Sequence, residues 1–338
     1  MRRQLWTLSL LLLAACSGDL AMEGAAYEPG GGEYQPPAPQ AGETYAHYGV
    51  NDFTDPAEDD LITFGADVDT GSYTLMRSDV MAGRRPVPAG VRVEEYLNYF
   101  DYGLEPPRDP DGVPFAVHTE AAPSPFGEDL HLLRVALKGR EVAAEDRPPV
   151  NLVFLVDVSG SMSSAGKLDL VTYGLQRLIT ALRPDDTLGI VVYAGADGVV
   201  LEPTPVRERG VILAALQGLQ AGGSTNGEAG IRTAYDLAQG AWREGGINRV
   251  ILCSDGDFNV GLTGQALIDF IDSQRERGLS LSVFGFGRGN YNDRDMEQMA
   301  DHGNGNYAFI DGRAEADRVM VEGLGGVLHT IAKDVKIQ

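Results

Sequence analysis

Unbroken apolar runs and amphipathic stretches alternate through the second half of the chain. Runs at 150–156, 188–193, 249–253 and 281–286, with a shorter one at 306–310, have the β-branched, leucine-rich texture of strands buried on both faces. Between them, Leu168 to Leu182, Val211 to Leu219, Gly227 to Trp242 and Leu267 to Arg277 carry apolar residues at helical spacing. Strands alternating with helices of this length predict βαβ units. The fold class expected is therefore α/β, a doubly wound and mostly parallel sheet over residues 150–332.

Residues 46–149 read differently. Short apolar segments at 61–64, 115–119 and 130–137 are separated by Gly, Pro and Asp, and the last two alternate like antiparallel strands. Val91 to Phe100 has helical spacing, and Tyr73 to Ala82 reads as a second helix. This predicts a smaller N-terminal α+β, strand-rich subdomain packed against the larger domain. Residues 16–45 hold Gly30-Gly31-Gly32 and Pro36-Pro37-Ala38-Pro39 with few large apolar residues, the composition of a disordered linker.

Residues 1–15 combine a basic start, Arg2 and Arg3, with an apolar stretch from Leu5 to Leu13 that is too short to span a bilayer. The stretch ends in Leu13-Ala14-Ala15-Cys16, which resembles the lipobox of bacterial lipoproteins. The resemblance implies that 1–15 is a signal peptide and that Cys16 becomes the lipidated first residue. Ser17, standing where an Asp would argue for inner-membrane retention, favours the outer membrane. The expected location is the cell envelope, on its periplasmic side or at the surface.

Cysteine usage fits this placement. The other cysteine, Cys253, lies inside an apolar run, so a lipidated Cys16 leaves no intramolecular disulfide, and Cys253 reads as a small core residue. With 49 acidic against 27 basic residues the net charge is −22. That balance argues against a nucleic-acid partner and against electrostatic adhesion to an anionic membrane face. Contact with the membrane should rest on the lipid alone.

Candidate chemistry lies where the run 150–156 ends. Asp157-Val158-Ser159-Gly160-Ser161 sets one carboxylate and two hydroxyls at every second position, beyond the carboxyl end of a buried strand, where open α/β sheets bind ligands. Such hard oxygen donors suit Mg²⁺ or Mn²⁺. Two further segments end where other loops of one site would lie. In Ala221-Gly222-Gly223-Ser224-Thr225-Asn226-Gly227, Thr225 or Ser224 supplies a hydroxyl beside glycines that admit close backbone approach. Ser254-Asp255-Gly256 puts a carboxylate after the run 249–253. Asp157, Ser159, Ser161, Thr225 and Asp255 thus form one candidate oxygen set.

Asp-x-Ser-x-Ser after a buried strand, a Gly-Gly-Ser-Thr loop and a later Ser-Asp-Gly together resemble the von Willebrand factor type A (VWA) domain and its metal-ion-dependent adhesion site. The resemblance implies Ser159 and Ser161 as direct ligands, Thr225 as a direct ligand in the ligand-bound state, and Asp157 and Asp255 acting largely through water. It also implies an open coordination position that accepts a carboxylate from a protein partner. Asp67 to Tyr73, Arg92 to Phe100, Leu137 to Arg140, Gly256 to Gly261 and Gly303 to Tyr307 further resemble the YfbK-like bacterial subgroup of secreted or lipid-anchored VWA proteins. In that subgroup a further C-terminal region follows, and 333–338 would be its truncated beginning.

Competing signals are weaker. Asp67 and Asp69 with Thr70 lack the later glycine and glutamate of a helix–loop–helix calcium loop, and read as capping or turn residues. Gly285-Phe286-Gly287-Arg288-Gly289 lacks the third glycine of a dinucleotide loop, so no nucleotide is expected. Ser159 and Ser161 are not set in a nucleophile elbow, His47, His118, His131, His302 and His329 form no spaced cluster, and Asp257 is the obvious candidate general base. The reading is a binding protein and not an enzyme. An envelope scaffold with a purely structural metal is the alternative, and a metal-assisted hydrolase comes third.

Overall fold

The structure is a computed structural model. It describes residues 68–323 apart from 109–111, 128, 143–145, 195–197, 224–226, 257, 259–262 and 290, together with 43–45, 53–55, 57, 326 and 328. The expectations for Cys16, the linker up to residue 42, residues 61–64, Asp67, Thr225, Asp257 and 333–338 fall outside the described residues.

A six-stranded sheet organises the chain. Its strands are β3 (Val150–Asp157), β4 (Thr187–Tyr193), β5 (Gly198–Pro205), β6 (Ile247–Ser254), β7 (Ser280–Phe286) and β8 (Tyr307–Ile310). They lie in the order β5-β4-β3-β6-β7-β8, all parallel except β5, which pairs antiparallel with β4. Helices α3 (Leu168–Ala181), α4 (Arg209–Gln217), α5 (Gly227–Gly240), α6 (Gln265–Glu276) and α7 (Asp293–His302) connect them. The chain leaves β3 toward β4 and later returns to β6 on the other flank of β3. Strand order therefore reverses between β3 and β6, which opens a crevice at their carboxyl ends.

Why residues 152–156 of β3 are all apolar follows from this placement. Leu152, Phe154 and Val156 pack with Val171, Leu175 and Leu178 of α3 on one face, while Val153 and Leu155 pack with Ile231 and Tyr235 of α5 on the other. Each fully buried side chain of this kind contributes about 1.5–3 kcal/mol. The two layers of core thus fix the end of β3, and with it Asp157. Cys253, on β6, is buried and free, and burial pushes its thiol pKa up, as an inert core residue requires. The predicted α/β class is the observed one, with the antiparallel edge strand β5 added.

The N-terminal described residues form helices α1 (Gly71–Met81) and α2 (Val93–Asn98) and a two-stranded antiparallel ribbon, β1 (Phe115–Pro123) with β2 (His131–Gly139). Helix α1 covers β8, which among the described residues is the edge strand and pairs with β7. Thr74 Oγ1 donates to the carbonyl of Phe309 at 2.7 Å, and Gly71 lets the helix start against the Tyr307 ring, where any Cβ would collide. Covering an edge strand blocks its use as a template for another chain. Thr70 stands at the N-cap position of α1 but does not cap it. Its hydroxyl accepts from Arg318 Nη2 at 2.7 Å, and the Ser72 amide donates instead to Glu95 Oε2 at 2.7 Å. Among the described residues no helix is long and apolar enough to cross a membrane.

Arginines tie these helices down. Arg77 donates to both carboxylate oxygens of Asp311, at 2.6 and 2.8 Å, and Arg288 joins Glu43 and Asp79 at 2.9 and 3.1 Å. Arg92 is buried between Glu95 of α2 and Asp293 of α7. Burial is the largest influence on Glu95 and outweighs Arg92, leaving its carboxyl pushed up to about 7. A raised carboxyl binds its proton in the fold at pH values where the open chain has released it. Stability should therefore fall as pH rises from about 4.5 to 7 and then level off, by on the order of 2–3 kcal/mol for this group. Denaturant titrations across pH 4.5–8 should show that Glu95→Gln flattens this limb. An unchanged slope would refute the assignment.

Candidate metal centre

Three loops meet at the crevice. The first follows β3, where Asp157 is fully buried and its Oδ1 accepts the amide of Ser159 at 2.8 Å. That bond folds the chain back, so that a short 3₁₀ turn over Gly160–Ser163 brings Ser159 Oγ to 2.9 Å from Ser161 Oγ. Asp157 Oδ2 accepts from Tyr193 Oη at 3.2 Å and Ser254 Oγ at 3.3 Å, which places the ends of β4 and β6 against the first loop.

The second loop is stitched to the first through its backbone. Gly222 N donates to the carbonyl of Val158 at 2.7 Å, and Gly160 N donates to that of Gly223 at 3.4 Å. This anchors the chain immediately before 224–226, the segment that holds Thr225. Helix α5 then begins at Gly227, whose missing Cβ makes room for the Phe258 ring, and Phe258 packs edge-on against Tyr193 at 5.4 Å.

Asp255 supplies the third loop. It is fully buried after β6, and its Oδ2 accepts from Lys167 Nζ at 2.8 Å. Its Oδ1 is buried with no hydrogen-bond partner among the described residues. Gly256 adopts φ 101°, a left-handed turn, while its amide returns to Ser254 Oγ at 3.1 Å. Burial, and to a lesser degree the neighbouring Asp255 charge, push the Asp157 carboxyl up to about 6, against the pull of the Ser159 bonds.

Of the five expected site residues, Asp157, Ser159, Ser161 and Asp255 converge, and Thr225 lies outside the described residues. Sequence reasoning missed Tyr193, Ser254 and Lys167. Tyr193 closes the apolar run of β4 and Ser254 stands beside Asp255, so both were within reach of the same strand-end argument. Two of the described histidines engage elsewhere: His118 Nε2 contacts the carbonyl of Glu105 at 2.9 Å, and His302 Nδ1 contacts Asp272 at 3.1 Å.

The donors suit a hard divalent cation. Burial and the neighbouring Asp255 charge disfavour the charge on Asp157, and Asp255 Oδ1 has no hydrogen-bond partner among the described residues, an acceptor of the kind an ion or its water would complete. Among the described residues no three His, Cys, Asp or Glu side chains form a site by themselves.

The von Willebrand factor family profile matches residues 39–134, and the von Willebrand factor type A domain profile matches residues 152–257. The second match takes in Asp157, Ser159, Ser161, Thr225 and Asp255. The chain belongs to the von Willebrand factor type A family. YfbK of Escherichia coli (strain K12) is 42% identical over 302 residues, covering 87% of this chain and 52% of that protein. Protein sll0103 of Synechocystis sp. (strain ATCC 27184 / PCC 6803 / Kazusa) is 27% identical over 186 residues, covering 54% of this chain and 43% of that protein. The chain thus spans about half the length of the curated relatives it matches. A solved von Willebrand factor type A structure from Catenulispora acidiphila is 18% identical with a TM-score of 0.46, covering 58% of this chain and 44% of that one.

Proposed function

We propose that this VWA protein is lipid-anchored through Cys16 in the cell envelope, outside the cytoplasm, and binds a protein partner through Mg²⁺ or Mn²⁺. Asp157, Ser159, Ser161, Thr225 and Asp255 would hold the ion, which supplies a positive Lewis-acid centre for an acidic side chain of the partner. The observation that carries this reading is the buried Oδ1 of Asp255, without a hydrogen-bond partner among the described residues, beside Asp157 and the paired Ser159 and Ser161 hydroxyls. The protein's own residues orient the donors: the Ser159 amide, Tyr193 and Ser254 fix Asp157, and the Gly222–Val158 bond fixes the loop that leads to Thr225. Presenting an ion to a partner carboxylate requires no general base, which favours binding over turnover. A scaffold in which the ion merely ties loops together is the weaker reading, because backbone bonds already join two of the three.

Envelope proteins crosslinked to the lipidated protein in Mg²⁺ should be lost on adding EDTA and restored by excess Mg²⁺. Ser161→Ala should lose them without a change in the unfolding midpoint of the metal-free protein greater than a few degrees. Chelator-insensitive capture of every partner would sink the adhesion mechanism. A metal that raised thermal stability without affecting capture would support the scaffold instead.

A further inference from the structure

Lys167 reaches the candidate metal donors from the residue before α3. Its ammonium lies 2.8 Å from Asp255 Oδ2, with 9% of the lysine side chain and none of the aspartate exposed. A pair on the rim would be weakly held and screened, whereas a desolvated pair is held firmly and leaves a buried charge when broken.

The surroundings are shaped for this lysine. Asp169 Oδ1 accepts the amides of Gly166 and Lys167 at 2.8 and 2.9 Å, fixing the backbone at the start of α3. The stem then lies over Gly287, which has φ 71°. A Cβ there would stand 2.5 Å from Lys167 Cε and 2.6 Å from Cγ. The next residue, Arg288, holds the same turn to Glu43 and Asp79. Chain direction, turn and stem thus all aim the ammonium at one oxygen of Asp255.

We infer that Lys167 is a resident counter-cation that competes with the divalent ion for Asp255 and so sets the metal affinity of the site. This rests on the metal-binding reading of Asp157, Ser159, Ser161, Thr225 and Asp255 above. Two carboxylates bring two negative charges, and Lys167 cancels one before the ion arrives. A dication taken up beside Asp255 meets both the repulsion of the ammonium and a carboxylate already engaged. In return, the loaded site keeps one net positive charge, and a single partner carboxylate neutralises it. Lys167 therefore trades metal affinity for preference toward an acidic ligand.

The test is calorimetric titration of the whole chain with MnCl₂ and with MgCl₂ at fixed pH and ionic strength. Lys167→Gln keeps an N–H donor for Asp255 but removes the charge, and should bind both ions at least about tenfold more tightly. Its melting temperature should also rise further than the parent's on saturation. Lys167→Arg retains the charge and should stay within about threefold of the parent. Gly287→Ala pushes the stem aside without altering any charge, and should shift affinity in the same direction as Lys167→Gln. It carries the test if Lys167→Gln does not fold. Equal or weaker metal binding by folded Lys167→Gln or Gly287→Ala overturns the inference while the metal site stands. Absence of binding in the parent and in all three variants overturns the metal reading itself. Binding that appears only in the variants supports the inference in its strongest form.

Discussion

Asp157→Asn should abolish Mg²⁺ binding and yet leave the metal-free protein at least as stable as the parent. The amide is nearly isosteric and can still accept the Ser159 amide at Oδ1, where the bond is now 2.8 Å. Tyr193 and Ser254 are hydroxyls, able to turn and accept from the new amide where they now donate to the carboxylate at 3.2 and 3.3 Å. What is lost is a negative charge facing a dication, and a loss of more than about 100-fold in affinity is expected. What is gained follows from burial. A carboxyl raised from 3.8 to about 6 is destabilised in its ionised form, so at neutral pH the metal-free fold carries it at a cost on the order of 1–3 kcal/mol. The sign follows from linkage. The fold retains the proton between about pH 4 and 6, the open chain does not, and stability falls as pH rises through that window. Asp157→Asn should remove this dependence and equal or exceed the parent above pH 6. Calorimetric titration for the ion and urea titrations at pH 5 and 7.5 check both halves. Affinity within tenfold of the parent would remove Asp157 from the site. A large loss of stability would mean that its charge serves the fold and not the ion.

That trade-off explains why part of this molecule was legible before its structure and part was not. Strands β3, β4, β6 and β7 are buried on both faces, so each carries a largely apolar run that stands out from its surroundings. Strand β5 is the outer edge, largely exposed, and its Glu202, Pro203 and Thr204 hide it from any search for apolar runs. Helix α7 is acidic over Asp293, Asp295 and Glu297, and its signal lay in the Asn292 cap, whose side chain accepts the Asp295 amide. At the site, each carboxylate follows a strand that the pattern had already located, so position in sequence stood in for position in space. Lys167 and Asp255 are 88 residues apart and meet only because α3 starts beside the turn at Gly287. A lysine in Gly166-Lys167-Leu168 carries no local mark of that reach. The same holds for Arg92 and Asp293, 201 residues apart.

The Arg92 cluster gives the largest expected effect on stability. Arg92→Met replaces the guanidinium with a side chain of similar length and no charge, leaving Glu95 and Asp293 buried without their cation and removing the Arg92–Glu297 ion pair at 3.4 Å. Removing one member of a buried ionic group costs about 3–5 kcal/mol, because the charges left behind remain desolvated. In a protein of this size the melting temperature should fall by on the order of 10 °C. Arg92→Lys should rescue little. The guanidinium reaches Glu95 through Nε and Asp293 through both terminal nitrogens, and it lies over the Tyr307 ring at 5.7 Å, a geometry that a single ammonium does not reproduce. The damage should also be uneven. Glu95 holds the Ser72 amide at the start of α1, so losing the network frees α1 and α2 from the β8 edge first. Amide exchange should accelerate over residues 71–81 well before it does over 150–157, whose bonds lie at the centre of the sheet. Combining Arg92→Met with Glu95→Gln and Asp293→Asn should recover part of the loss, since the triple variant buries no unpaired charge. If all three substitutions together were as damaging as the sum of the single ones, the network would be acting through shape and not through charge.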